Sequence, residues 1–303
     1  MSSWREKEGR HFKELSKMDS LLEARLRQLV TKWTSQLKWR RDYDKWVDLR
    51  IWQENYWQGK VEELCHNTDG LEGKKILDLG CGMGGFSVAL ALKEVDIVSL
   101  DPNVDYCQIT KLRGERYDLN LAPIHGMGER LPIKSCVFDI VTCFDVLEHV
   151  YNPIQVLREA YRVLKPGGQM HLTIINQYAC CDPHYNLSFI NWIPKRIAEW
   201  YIRKRGRSKD DSPCKDRQKI SEMHYFTFSQ FKRIATNLNF DITDIVEGKI
   251  CKGDIKALRT KRMVMALRKF KIERILYKIA RLFVMKSFSV LLTKSQESGN
   301  ELA

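Results

Sequence analysis

At 303 residues, 44% of them apolar and 29% charged, the chain can bury a substantial core and is neither disordered nor fibrous in composition. Its formal charge of +13 is unevenly spread: ten Lys/Arg face four Asp/Glu over residues 195–219, and fourteen face two over 249–294. A mildly acidic centre with basic flanks excludes an evenly solvated basic protein and points to an anionic surface, lipid or nucleic acid, met by the periphery.

Residues 1–55 read as a polar, tryptophan-bearing helical cap (Trp33, Trp39, Trp46, Trp52) ahead of a domain expected over 56–248. The opening MSSWREKEGR has no apolar signal core, and the nine cysteines include no CxxC pair. Both features predict a reduced, cytoplasmic chain. From Leu71 to Ile175, apolar runs alternate with helix-length amphipathic stretches. The runs are Lys75–Leu79, Val95–Leu100, Leu121–His125, Val137–Cys143 and Gln169–Ile175. This alternation predicts an α/β fold with a doubly wound, mostly parallel sheet. A helix is expected over Asn152–Leu164, stopped by Lys165-Pro166-Gly167-Gly168. An irregular basic insertion follows over 176–228, then a helix over Ser229–Asn237 and a strand over Phe240–Val246. Residues 249–303 read as a basic amphipathic appendage with helices over Lys256–Phe270 and Ile275–Leu292. No stretch reaches the roughly 18 uncharged apolar residues of a membrane span.

The strongest local signal is Asp78-Leu79-Gly80-Cys81-Gly82-Met83-Gly84-Gly85, a buried strand running into a glycine turn and a helix from Phe86. Glycine serves where the backbone takes positive φ or approaches a ligand closely, and the helix start favours negative charge. Asp101 closes the next strand, where a carboxylate can accept hydrogen bonds from both ribose hydroxyls of an adenosine cofactor. NAD and S-adenosylmethionine both satisfy these features.

Five blocks in order narrow the choice: Asp78 to Gly84; Asp101; Gly128-Glu129-Arg130-Leu131-Pro132 with Phe138-Asp139-Ile140-Val141; Asp145-Val146-Leu147-Glu148-His149-Val150; and Glu159 to Gly168. Together they resemble the Rossmann-like class I methyltransferases, closest to the small-molecule group of ubiquinone and menaquinone biosynthesis. The resemblance implies S-adenosylmethionine as cofactor. It places the backbones of Gly80, Cys81, Gly82 and Gly84 around the methionine end, with Asp78 in support. It places Asp101 on the ribose, Pro102 and the Met127-Gly128 segment on either side of adenine, and Phe144 beside the sulfonium. The family's usual aspartate is replaced here by Met127, which packs on adenine but accepts no hydrogen bond from its amino group.

Transfer from a sulfonium needs alignment of the acceptor, and a hydroxyl acceptor also benefits from a base. His149 (just after strand four), His184 (in the insertion) and His224 (before the next helix) are the candidates. Asp145 and Glu148 read equally well as acids at a helix start. No metal-ligand spacing stands out in the sequence. The implied activity is methyl transfer to an oxygen of a small or lipid-linked acceptor, quinone-like, glycolipid or sugar. The C-terminal helices, with Trp192, Trp200 and Arg203-Lys204-Arg205 of the insertion, suit an anionic membrane surface. A nucleic-acid or protein methyltransferase is the alternative, although no RNA-binding module is recognisable; a scaffold protein without activity is the second.

Overall fold

The computed structural model describes residues 20–35, 42–68, 70–207, 219–252 and 272–296. The helix expected over Lys256–Phe270 lies outside these residues. The chain divides into two compact units, Met1–Thr142 and Cys143–Ala303.

The first unit holds α1 (Ser20–Thr34), α2 (Tyr43–Ile51), α3 (Gln53–Asn67), β1 (Lys75–Leu79), α4 (Gly85–Ala91), β2 (Asp96–Asp101), α5 (Val104–Glu115) and β3 (Ile124–His125). It also holds nearly all of β4 (Phe138–Cys143). β1 pairs in parallel with β2 and with β4, and β2 with β3. Ile76, Leu77 and Leu79 are all buried, the pattern of a strand covered on both faces. The N-terminal helices pack on α5: Leu26, Val30, Val47 and Ile51 share a core with Ile109 and Leu112. Asp105 accepts from Lys32 and from the Trp33 indole, fixing α1 to the start of α5.

The second unit holds α6 (Pro153–Val163), β5 (Leu164–Ile175), α7 (Lys195–Lys204), α8 (Phe228–Asn237), β6 (Phe240–Asp244), α9 (Ile245–Lys252), α10 (Glu273–Phe283) and β7 (Ser287–Lys294). Asn152 caps α6 by accepting from the Gln155 N–H, with Pro153 at the first helical position. Thr227 and Gln230 form a reciprocal capping box on α8. The insertion carries its own small core of Tyr185, Leu187, Ile190, Ala198, Ile202 and Ile220.

The α/β class and the parallel pairing of the first four strands match the sequence expectation. Two expectations are corrected. The helix predicted over Ile275–Leu292 stops at Phe283, and 287–294 is a strand lying between β5 and β6, antiparallel to both. Phe288, Val290, Leu292 and Lys294 are buried while their neighbours are partly exposed, a period of two that a helix cannot satisfy. Residues 249–303 therefore contribute a sheet strand as well as helix. The strand predicted to Val246 also ends early, at Asp244, whose carboxylate accepts from the N–H groups of Val246 and Glu247 and starts α9.

Candidate functional site

In the first unit, Gly80, Gly82 and Gly84 all have positive φ, at 75°, 54° and 74°. A Cβ at Gly84 would lie 2.4 Å from Thr110 Oγ1, so only glycine lets the turn close on α5. At Gly82 a Cβ would meet nothing within 4 Å, which leaves an open cradle beside the loop. The loop is tied to the end of β2: Gly80 and Cys81 N–H both donate to Leu100 O, at 2.8 and 3.0 Å. Gly82 N–H donates to Asp101 Oδ2 at 2.9 Å. The N–H groups of Gly80 and Gly82 thus already have protein acceptors, and the Gly82 carbonyl accepts from Thr110 Oγ1 at 3.2 Å.

Asp101 is buried at the end of β2, and its Oδ1 accepts from Asn103 N–H at 2.9 Å. The helix cap itself is Asn103, which accepts from Asp105 and Tyr106 N–H. Pro102 is exposed, with its carbonyl 2.9 Å from His125 Nε2. Met127 is exposed and Gly128 half-buried.

Asp78 sits below the loop and accepts from Ser87 Oγ at 2.6 Å and from Thr142 Oγ1 at 3.0 Å. Ser99 donates in turn to Ser87, so hydroxyls from β2, α4 and β4 converge on one carboxylate of β1. Burial pushes the Asp78 carboxyl up to about 6, against the two hydroxyl hydrogen bonds and with a smaller push from Asp101. Burial likewise pushes the Cys81 thiol up, so this cysteine is a packing group and not a nucleophile.

A linkage effect follows for Asp78. Its folded pKa lies above the unfolded one, so the folded state binds more protons between about pH 4 and 6. The stability this carboxyl contributes is present at low pH and lost as pH rises through about 6, by about 3 kcal/mol. Asp78→Asn should remove that slope. Urea denaturation of both proteins at pH 4 and pH 7 checks it; parallel pH dependence would count against the buried-carboxyl account.

The second unit gathers the acceptor-side candidates. Phe144 and Asp145 follow β4 directly, and Asp145 turns the chain with φ of 57°. Glu148 is only 1% exposed, and its Oε1 lies 3.5 Å from His184 Nε2 and 3.8 Å from His149 Nε2. Among the described residues neither Glu148 oxygen accepts a hydrogen bond, and two imidazole nitrogens lie within 4 Å of Oε1. A buried carboxylate so sparsely satisfied is costly unless it has a task. The two imidazole rings are 5.0 Å apart and nearly perpendicular. His184 also stacks on Tyr225 at 6.1 Å. Asp182, fully buried, fixes this pair: Oδ1 accepts from the N–H groups of His184 and Tyr185, and Oδ2 from the Tyr225 hydroxyl at 2.9 Å. Burial, then the Asp182 charge, push the Tyr225 phenol far above its usual range, so it stays a neutral donor.

His149 and His184 therefore meet at one carboxylate. The His224 ring is not one of the three groups; its backbone N–H donates to Glu148 O at 3.1 Å and anchors the loop. Asp182 and Tyr225 are the members that sequence reasoning missed, while Glu148 was read chiefly as an acid at a helix start. The available signal was the order Glu148-His149 after strand four, which also fits an acid at a helix start. Chemically, the cluster can take a proton on an imidazole and stabilise the resulting cation with the carboxylate. Its one oxygen and two nitrogens, all within 4.8 Å of one another, also form a set that can hold a divalent ion.

Residues 77–172 match the family described as "Methyltransferase domain". The ubiquinone biosynthesis O-methyltransferase of Pseudomonas aeruginosa (strain UCBPP-PA14) is 38% identical over 112 residues, covering 36% of this chain and 47% of that one. Its counterpart in Pseudomonas savastanoi pv. phaseolicola is 37% identical over the same length. The chain spans about half the length of these curated relatives. Among solved structures, a SAM-dependent methyltransferase of Methanosarcina mazei is similar at 20% identity and a TM-score of 0.49, covering 77% of this chain and 98% of that one.

Proposed function

We propose that the chain is a class I, S-adenosylmethionine-dependent methyltransferase that transfers the methyl group to a hydroxyl oxygen of a small or lipid-linked, quinone-like acceptor. When bound, S-adenosylmethionine supplies an already activated methyl group. The chain's own residues then bind, orient and move one proton. The open cradle at Gly82 and the buried Asp101 carboxylate suit the methionine and ribose parts. Pro102, Met127 and Gly128 flank adenine in this reading.

The observation that carries the acceptor assignment is the buried Glu148 with His184 and His149 at 3.5 and 3.8 Å. A hydroxyl must lose its proton as it is methylated, and an imidazole backed by a buried carboxylate accepts it. His184 is the base in this reading because Asp182 and Tyr225 fix its position. His149 lies beside it. The oxygen-methylating relatives support the same class of acceptor. Cys143-Phe144-Asp145-Val146 stands where many amino-methylating enzymes carry an Asn/Asp-Pro-Pro-aromatic block, which argues against a nucleic-acid or protein acceptor.

Calorimetric titration with S-adenosylmethionine should show saturable binding, with none for NAD. Asp101→Ala should weaken it about tenfold or more, since hydrogen bonds to a charged acceptor are lost. Labelled methyl should then appear on a soluble catechol. Absence of S-adenosylmethionine binding would sink the reading.

A further inference from the structure

The second unit carries two apolar stripes that none of the described residues covers. On α7, Ala198 and Ile202 turn inward and are buried. Ile197 and Trp200 stand outside on this helix, with Ile193 just before its start, at 37–57% exposure. On α10, Tyr277 is the inward anchor, its hydroxyl donating to Asp244. Ile275, Ile279 and Leu282 stand outside at 45–60% exposure. The stripes meet where the rings of Trp192 and Phe283 pack 5.7 Å apart. Both are bordered by cationic residues: six Lys/Arg against one acid over 189–207, and four against one over 272–286.

Large exposed aliphatics side by side are costly in water and mark an interaction face. Charge decides the occupant. Two copies of such a face would repel through their basic rims. A nucleic acid would use the cations but gain little from isoleucine and leucine, which offer no stacking platform. An anionic bilayer satisfies both parts, with aliphatic and tryptophan side chains at the acyl boundary and Lys/Arg among the headgroups. We propose that this face docks the protein on an anionic lipid surface, with Ile197, Trp200 and Ile279 entering the interface. The inference deepens the reading of a lipid-linked acceptor and rests on it for purpose only, since the docking itself requires neither acceptor nor cofactor. No helix among the described residues is long and apolar enough to cross a membrane.

The test is sedimentation of the full chain with phosphatidylcholine vesicles, with and without phosphatidylglycerol, in the absence of acceptor. Binding is expected to the anionic vesicles and to fall with salt. Trp200→Ser/Ile279→Ser should weaken it about tenfold or more, and Arg203→Glu/Lys204→Glu should abolish the preference for phosphatidylglycerol. Unchanged S-adenosylmethionine affinity and circular dichroism show that the variants are folded. Equal vesicle binding by variants and parent, or no vesicle binding at all, overturns the proposal. So does an RNA complex or a concentration-dependent dimer that the same substitutions disrupt. Methylation of a soluble catechol, assayed on the same preparations, reports the proposed function separately. Its persistence without vesicle binding removes the surface and leaves the activity.

Discussion

Glu54→Ala should cost about 3–5 kcal/mol of folding stability, among the largest effects of any single substitution in the first unit. Glu54 is fully buried on α3 and meets two fully buried guanidinium groups: Arg113 at 2.6 Å and Arg116 at 2.9 Å. The Tyr117 hydroxyl donates to it as well, at 2.7 Å. Arg113 also donates to the carbonyls of Ile51, Arg50 and Met83. One charge cluster thus holds the end of α2, the start of α3 and the glycine loop against α5. Removing the carboxylate leaves two cations in a dry interior with no compensating charge. Arg116→Met should cost less, because it removes a cation that lies over the Trp52 ring at 4.3 Å and leaves Glu54 paired with Arg113. Urea denaturation at pH 7 measures both. A loss below about 1 kcal/mol for Glu54→Ala would show that water reaches the cluster.

Glu148→Gln should lower kcat about 10²–10³-fold, within the range for losing a general base. Its affinity for S-adenosylmethionine should stay at the parent value. His184→Ala should fall by a similar factor, and the double variant little further, because in the proposed function the carboxylate and imidazole serve one proton transfer. Stability should move the other way. The parent buries a carboxylate that accepts no hydrogen bond among the described residues, and a neutral amide relieves that cost by about 1–2 kcal/mol. A faster thermal inactivation of Glu148→Gln, or full retention of kcat on a catechol, would show that Glu148 is a structural acid. Steady-state rates beside thermal melts separate the two roles, since a purely structural carboxylate would not give lower activity with higher stability.

Several elements needed only their own residues. β1 occupies Lys75–Leu79 as its apolar run predicts, and the turn after it is set by glycines because positive φ and the closeness of Thr110 exclude a side chain. The caps at Asn152 and Thr227 are equally local, each side chain reaching an N–H within three residues. The parallel pairing of the first strands followed from the alternation of runs and helices, and Asp101 from its place at a strand end. Such features are legible because their physics acts over one turn or one strand.

Tertiary structure alone decided the rest. The helical period of 273–283 passes into the two-residue period of 287–294 after only three residues, and nothing local shows that the latter strand is to separate β5 from β6. Glu148 reads as an acid at a helix start until folding brings His184 to it from the insertion, and nothing in the sequence around Glu54 announces that Arg113 and Arg116 close over it. A buried charge is set by what compensates it, and compensation here comes from residues far along the chain. The sequence by itself determined the glycine turn after β1, because the positive φ of its three glycines is a local requirement. Which carboxylates are buried, and which guanidinium or imidazole each one meets, depended on long-range packing that no local pattern encodes.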